Sequence, residues 1–300
     1  MSEAALVLPR ARRRRLADGP ALPVIVVCGG FVLLWYLGAV WLNAGIVEQR
    51  SPGLDPLGFA KAAWSLDRPL LPAPHQILAE IWSSIVGPKF GSPRNLLTHV
   101  GVTLSSTLAG LAMGVALGVA LAVGLANSRV LEKSLTPWLV ASQTVPILAV
   151  APIVITALGS VGLKGLVPKA IISAYLCFFP VAIGMAKGLA SPDAASRDLM
   201  RTYAADGRQI LLKLQFPAAL PFLFASLKIA VAAAFVGAIV AELPTGAQSG
   251  LGARLLAGSY YGNTMMIWAA LIAAALAAAA LVGAVALTEQ VVVGRTTGRR

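Results

Sequence analysis

Residues 103–125 read TLSSTLAGLAMGVALGVALAVGL and contain no charged side chain. The hydrocarbon core of a bilayer is about 30 Å thick, so a helix of about 20 apolar residues spans it. Five more apolar stretches of comparable length lie near residues 23–42, 138–158, 169–188, 220–241 and 266–288. This pattern predicts an all-α integral membrane protein with about six transmembrane helices.

The composition supports the same fold class. Only 12% of the residues are charged, against roughly 25% in soluble domains, and the mean hydropathy is +0.80. The apolar stretches leave no room for a separate soluble domain. We predict two basic tails and, between them, a transmembrane domain that contains two long connecting segments. They are a basic cytoplasmic tail at 1–20, a transmembrane domain at 21–290 with a periplasmic segment at 43–100 and a cytoplasmic loop at 189–218, and a basic tail at 291–300.

The net charge of +12 is distributed as in membrane proteins, next to the apolar stretches. Arg10 and residues 12–15, all arginines, directly precede the first apolar stretch, where they would face anionic lipid rather than nucleic acid. Lys and Arg are also more frequent in the loops on the side of the termini. We therefore expect both termini in the cytoplasm. The first stretch is too long for a signal-peptide core, so we expect it to remain as an anchor.

Two packing features can be predicted from residue spacing. Gly110, Gly114 and Gly118 repeat every four residues and would let another backbone approach closely. That partner could be a second subunit, but a helix of the same chain is favoured. His75–Val86 forms an amphipathic stretch with Ile77, Ile81 and Ile85 on one face, which predicts a helix lying on the membrane surface or on the bundle.

The sequence offers no enzyme chemistry. It has no phosphate-binding loop, and the spacing of its two cysteines and two histidines suggests no metal site. We predict no catalytic residue and no cofactor in this chain. An ion-coupled secondary transporter stays open as an alternative, because Lys228 and Glu242 lie in or at the fifth stretch. Snorkelling of Lys228 to the cytoplasmic surface is the favoured interpretation.

The loop at 189–218 is the most unusual connection. Pro192 and Asp193 can start a helix, and Gly207 or the residues beside it can end or kink it. A second amphipathic piece, Ile210–Phe216, would then stop at Pro217. A helix–turn–helix of this kind suits docking to a soluble partner, although a solvated connector has the same signature.

The same loop carries a family resemblance. RTYAADGRQ at 201–209, followed by LQFPAALP at 214–221, resembles the EAA loop of binding-protein-dependent ABC importer permeases, most of all the nitrate/sulfonate/taurine branch. Asp198 takes the place of the family's glutamate, Ala204 replaces its usual glycine, and Pro217 is retained. Residues 71–74, 144–152, 242 and 250–252 resemble further segments of that family in the same order.

The resemblance implies a type I ABC importer permease-like bundle in a bacterial inner membrane. It implies a second permease subunit, identical or not, two ATPase subunits that hold ATP and Mg²⁺, and a periplasmic binding protein that delivers the solute. Nitrate, sulfonates, taurine and a thiamine-precursor pyrimidine are the implied solutes. The implied ATPase contacts are the following loop residues: Asp198, Arg201, Thr202, Tyr203, Ala204, Ala205, Asp206, Gly207 and Pro217.

The third apolar stretch supplies the candidate pathway. It combines Gln143 and Thr144 with Pro146 and Pro152, and irregular backbone at membrane depth needs cover from protein or a water-filled cavity. We expect Gln143 and Thr144 to line the pathway, with Glu242 near its outer gate. A kinked packing helix is the alternative.

Overall fold

The structure is a computed structural model that describes residues 21–244 and 249–296. The part it describes is helical and contains no β-strand. The helices are α1 Ala21–Arg50, α2 Pro56–Trp64, α3 Pro74–Val86, α4 Leu96–Asn127, α5 Arg129–Ser142, α6 Ile147–Ser160, α7 Leu166–Ala190, α8 Ala194–Thr202, α9 Gly207–Ile210, α10 Phe216–Glu242, α11 Leu251–Tyr260 and α12 Thr264–Thr296. The predicted all-α membrane class is confirmed. The predicted tail at 1–20 lies outside the described residues, and α12 extends into the segment predicted as the C-terminal tail.

Five segments are long and apolar enough to cross a membrane: Leu22–Arg50, Leu96–Asn127, Leu166–Ala190, Gly207–Glu242 and Thr264–Gly294. The predicted third span is not a single helix, because α5 and α6 meet at an angle of 96°. Pro146 has no N–H to donate, and it disfavours helical geometry at the residue before it. The count therefore reaches six only if the bent pair is one span.

The described residues from 21 to 77 form one compact unit, built on α1 and α2. Its core contains Val47 and Ala63. The Asn43 side chain is fully buried, accepts from Leu70 N–H at 2.7 Å and donates to the Leu71 carbonyl at 2.9 Å. The segment around Leu70 and Leu71 is thus held against α1 by hydrogen bonds to the buried Asn43 amide.

The second unit comprises the described residues from Leu78 onward and is centred on α4, α7 and α10. The glycine stripe of α4 lies directly against α7. A Cβ on Gly110 would come within 2.7 Å of the Ala170 carbonyl oxygen, and one on Gly118 within 2.8 Å of the Phe178 carbonyl oxygen. The prediction that the stripe packs within the same chain is confirmed.

Helix α12 packs one face onto this core through Ala270 and Ala274, and Ile81 and Ile85 of α3 pack against the same cluster. Helix α3 therefore packs on the bundle, which is one of the two placements that the sequence predicted. The Lys228 side chain has an acidic partner that the sequence did not predict. Its Nζ lies 2.5 Å from Glu289 Oε2, so it forms an ion pair between α10 and α12.

Candidate functional site

The exposed helix α8 begins at a well-formed cap. Asp193 accepts a hydrogen bond from Ser196 N–H at 2.8 Å. Hydrogen bonds from the side chain and backbone of Ser196 hold the pKa of the Asp193 carboxyl below its usual value. Arg197 Nη2 then donates to the Ala190 carbonyl at 3.0 Å, which fastens α8 to the end of α7. Polar caps thus define the start of α8, as the sequence predicts.

The end of α8 is a Schellman turn. Ala205 N–H donates to the Met200 carbonyl at 3.0 Å, and Ala204 N–H donates to the Arg201 carbonyl at 2.8 Å. Ala204 has a φ of 53°, in the left-handed region where glycine is preferred. The position where the resembled family usually has glycine therefore needs glycine-like geometry, and this chain meets that need with alanine.

A second cap follows at once. Asp206 accepts from Gln209 N–H at 2.7 Å, and Gln209 Oε1 accepts from Asp206 N–H at 3.3 Å, which is a capping box. Gly207 itself starts a helix. The predicted break lies at the residues beside it, Ala204 to Asp206, which form the turn between α8 and α9. The strong cap explains the new start, because it supplies partners for the first N–H groups of the new helix.

The prediction that this piece stops at Pro217 is wrong. Residues 207–242 form one continuous helical segment. Leu211–Gln215 form a π-helical turn in which Phe216 N–H donates to the Leu211 carbonyl. This widened turn directly precedes Pro217, the second residue of α10, which has no N–H to donate to the preceding turn. The loop is thereby joined rigidly to a spanning helix.

The outward surface of α8 has no partner within the described chain. None of its residues is buried. Leu199 is 57% exposed and Tyr203 is 79% exposed, one helical turn apart. Asp198 and Arg201 form an exposed ion pair at 3.2 Å, and Thr202 Oγ1 donates to the Leu199 carbonyl. The predicted loop residues up to Tyr203 therefore share one small exposed helix that offers apolar and charged side chains to a partner.

Glu242 lies in a buried polar cluster. It is fully buried and accepts from Thr103 Oγ1, 2.9 Å from Oε2 and 3.1 Å from Oε1. Gly252 N–H donates to it at 2.9 Å, and Lys169 Nζ lies 3.5 Å away. Leu251 N–H donates in turn to Thr103 Oγ1 at 2.9 Å. The carboxylate thus fastens the segment after α10 to α4 and α7.

This cluster has no spare volume. Gly250 has a φ of 121° and lies directly against the Glu242 carboxylate, and its N–H donates to His99 Nδ1 at 3.0 Å. Sequence reasoning missed His99, Thr103 and Lys169. One signal was present, because His99 and Thr103 are four residues apart on α4, on a polar stripe that leads to the glycines.

Gln143 and Thr144 lie in the break between α5 and α6, and both are exposed. The Tyr175 hydroxyl donates to the Ser142 carbonyl and fixes this break against α7. Gln143 borders a cleft of about 560 Å³ between α7 and α10, and neither Thr144 nor Glu242 lines it. The three candidate pathway residues are thus not brought together.

Comparisons with known proteins agree with this architecture. The family described as "binding-protein-dependent transport system inner membrane component" matches residues 114–297. The riboflavin transport system permease protein RibX of Chloroflexus aurantiacus is 31% identical over 287 residues, 96% of this chain and 95% of that protein. The formylaminopyrimidine transport permease protein ThiX of Halalkalibacterium halodurans is 36% identical over 140 residues, 47% of this chain and 51% of that one. The nitrate import permease protein NrtB of Synechocystis sp. is 25% identical over 180 residues, 59% and 64% respectively.

Proposed function

This chain belongs to the binding-protein-dependent inner membrane components of ABC transporters, and on that premise we propose that it forms the solute pathway of an ATP-driven importer. A transport permease subunit of this family is not itself an enzyme. One observation carries the proposal. The exposed helix α8 is capped at both ends and is continuous, through a short capped turn, with a spanning helix.

In this proposal two permease subunits, identical or not, form the pathway, and two separate ATPase subunits bind ATP and Mg²⁺. Each ATPase would bury the apolar pair Leu199 and Tyr203 in a groove. The Schellman turn and the Asp206 cap would pass a rotation of α8 on to α10 as a rigid-body movement. The absence of a phosphate-binding loop from the sequence fits this division of labour.

Co-purification with the ATPase tests the docking surface. Leu199→Ser combined with Tyr203→Ala should abolish co-purification, because the exposed apolar pair supplies the buried centre of the interface. Phe90→Ala is the matched control: Phe90 is 80% exposed but lies outside the loop, between α3 and α4. Intact co-purification in the double variant would refute the assignment of α8.

A charge reversal gives a second test. Asp198→Arg with Arg201→Asp keeps an ion pair within the helix while reversing what the partner meets. We expect loss of transport and of solute-stimulated ATP hydrolysis with normal membrane insertion. Normal coupling would show that these charges do not face the ATPase.

The proposed orientation has both termini in the cytoplasm of a bacterial cell with an inner membrane. With Cys28 and Cys177 changed to alanine, cysteines at residue 12 or 297 should resist an impermeant thiol reagent in intact cells. Cysteines at residue 60 or 248 should react. Labelling at residue 12 would overturn this orientation.

The proposed solutes are nitrate, a sulfonate or taurine, or a heterocycle such as a thiamine-precursor pyrimidine or riboflavin, delivered by a periplasmic binding protein. Relatives named for riboflavin, formylaminopyrimidine and nitrate support this range. Identifying the ligand of the cognate binding protein decides among them. Uptake that needs ATP and resists a protonophore would exclude the ion-coupled carrier.

A further inference from the structure

The cleft beside Gln143 has the dimensions of a ligand site. It lies between α7 and α10 and has a volume of about 560 Å³. From Leu176 to Lys187 it follows eleven residues of α7, which is about 16 Å along the helix axis. Small-molecule sites in proteins occupy about 300–1,000 Å³ and combine apolar walls with a few polar groups.

The position of the cleft indicates an aqueous or protein-covered face rather than a lipid-facing one. The break between α5 and α6 leaves Gln143 exposed at its edge, and Tyr175 fixes that break midway along α7. Irregular backbone is not tolerated against lipid tails. Lys187, also exposed, lies at the other end of the cleft.

The lining selects one class of occupant. Phe179 and Phe222 offer aromatic rings, to which a flat ring system can stack or pack edge to face. Gln143 Nε2 donates to Ser142 Oγ at 3.1 Å and has a second N–H and a carbonyl to offer. The Lys187 ammonium can donate to a carbonyl or to a deprotonated ring nitrogen.

Small oxyanions are a poor match for the same walls. Nitrate or a sulfonate would lose its hydration against mainly apolar side chains, with one ammonium group in return, and an ion buried with too few partners is strongly disfavoured. We propose that this cleft is a solute-binding site of the permease itself, and that its ligand is an aromatic heterocycle with an amide-like edge. The inference rests on the proposed transport function and narrows its range of solutes.

Binding of lumichrome, a fluorescent three-ring heterocycle with an imide edge, tests the proposal. The full-length permease with its ATPases in lipid nanodiscs should bind it saturably by fluorescence anisotropy. Gln143→Leu and Phe179→Ala should each weaken the affinity about tenfold, since each removes one contact of the type described. Phe31→Ala is the matched control, because Phe31 is an exposed ring on α1, in the other unit.

Three results would overturn the proposal. They are the absence of saturable binding, an equal loss of affinity in Phe31→Ala, and displacement of lumichrome by millimolar nitrate or taurine. A fourth result would show that a second permease copy occupies the cleft. In that case Ile229→Cys, in a background with alanine at both native cysteines, would cross-link between copies. Co-purification of the ATPases is scored on the same samples. If they co-purify but lumichrome does not bind, the site fails while the transport function stands.

Discussion

Replacing Thr103 by valine removes one buried hydroxyl without changing the volume of the side chain. That hydroxyl donates to the Glu242 carboxylate at 2.9 Å and accepts from Leu251 N–H at 2.9 Å. A hydrogen bond to a charged group contributes about 1.5–3 kcal/mol, and a buried N–H left unpaired costs about 1–3 kcal/mol. The variant should therefore lose between about 2.5 and 6 kcal/mol of stability.

Thr107→Val is the matched control. Thr107 lies one turn further along α4 and is equally buried, but its hydroxyl donates only to the Thr103 carbonyl of its own helix, at 2.8 Å. Its loss should cost about 1 kcal/mol.

Thermal unfolding separates the two variants. Cys177 is fully buried and becomes reactive toward a fluorogenic thiol dye on unfolding, and Cys28, which is exposed, is first changed to alanine. The midpoint for Thr103→Val should fall on the order of 10 °C, and that for Thr107→Val by a few degrees. Equal shifts would show that the Glu242 cluster contributes no more than a buried hydroxyl bonded within its own helix, and the reasoning on this cluster would be refuted.

Three further outcomes follow from the loop and the intramembrane ion pair. Ala204→Gly should stabilise the Schellman turn by about 0.5–1 kcal/mol, because relief of left-handed strain exceeds the added chain entropy; faster amide exchange in the turn would contradict this. Glu289→Gln should lower the unfolding midpoint by leaving Lys228 unpaired, and the swap Lys228→Glu with Glu289→Lys should recover most of it; no recovery would mean that the pair is incidental. The Asp193 cap, whose folded pKa lies below the ordinary 3.8, should be complete above that pH and lost as pH falls through the lowered value. Exchange of the Ser196 amide should report this loss, and Asp193→Ala should show the fast exchange at every pH.

The described structure confirms those predictions that depend on short-range signals. Apolar length located the spanning helices, and the glycine repeat of α4 identified a close helix contact. Asp193 was read correctly as a helix start, because a capping carboxylate acts on N–H groups only two or three residues away. Pro217 was misread as a helix end, and the predicted break near Gly207 lies at the residues just before it. Each of Gly207 and Pro217 favours a helix end by itself, but the Asp206 cap and the π-helical turn change the backbone around them.

Sequence alone showed that this chain folds in a lipid bilayer. It also gave the approximate bounds of the membrane helices and the position of the structured loop. Hydropathy and capping are sums over neighbouring residues, so they can be read from the chain. Tertiary structure alone decided which groups its charged side chains on the long helices meet. Thr103 and Glu242 are 139 positions apart, and Lys228 meets Glu289 only because α10 and α12 pack with those faces together. The rotation and crossing of helices follow from packing summed over many contacts, and no single stretch of sequence contains that sum.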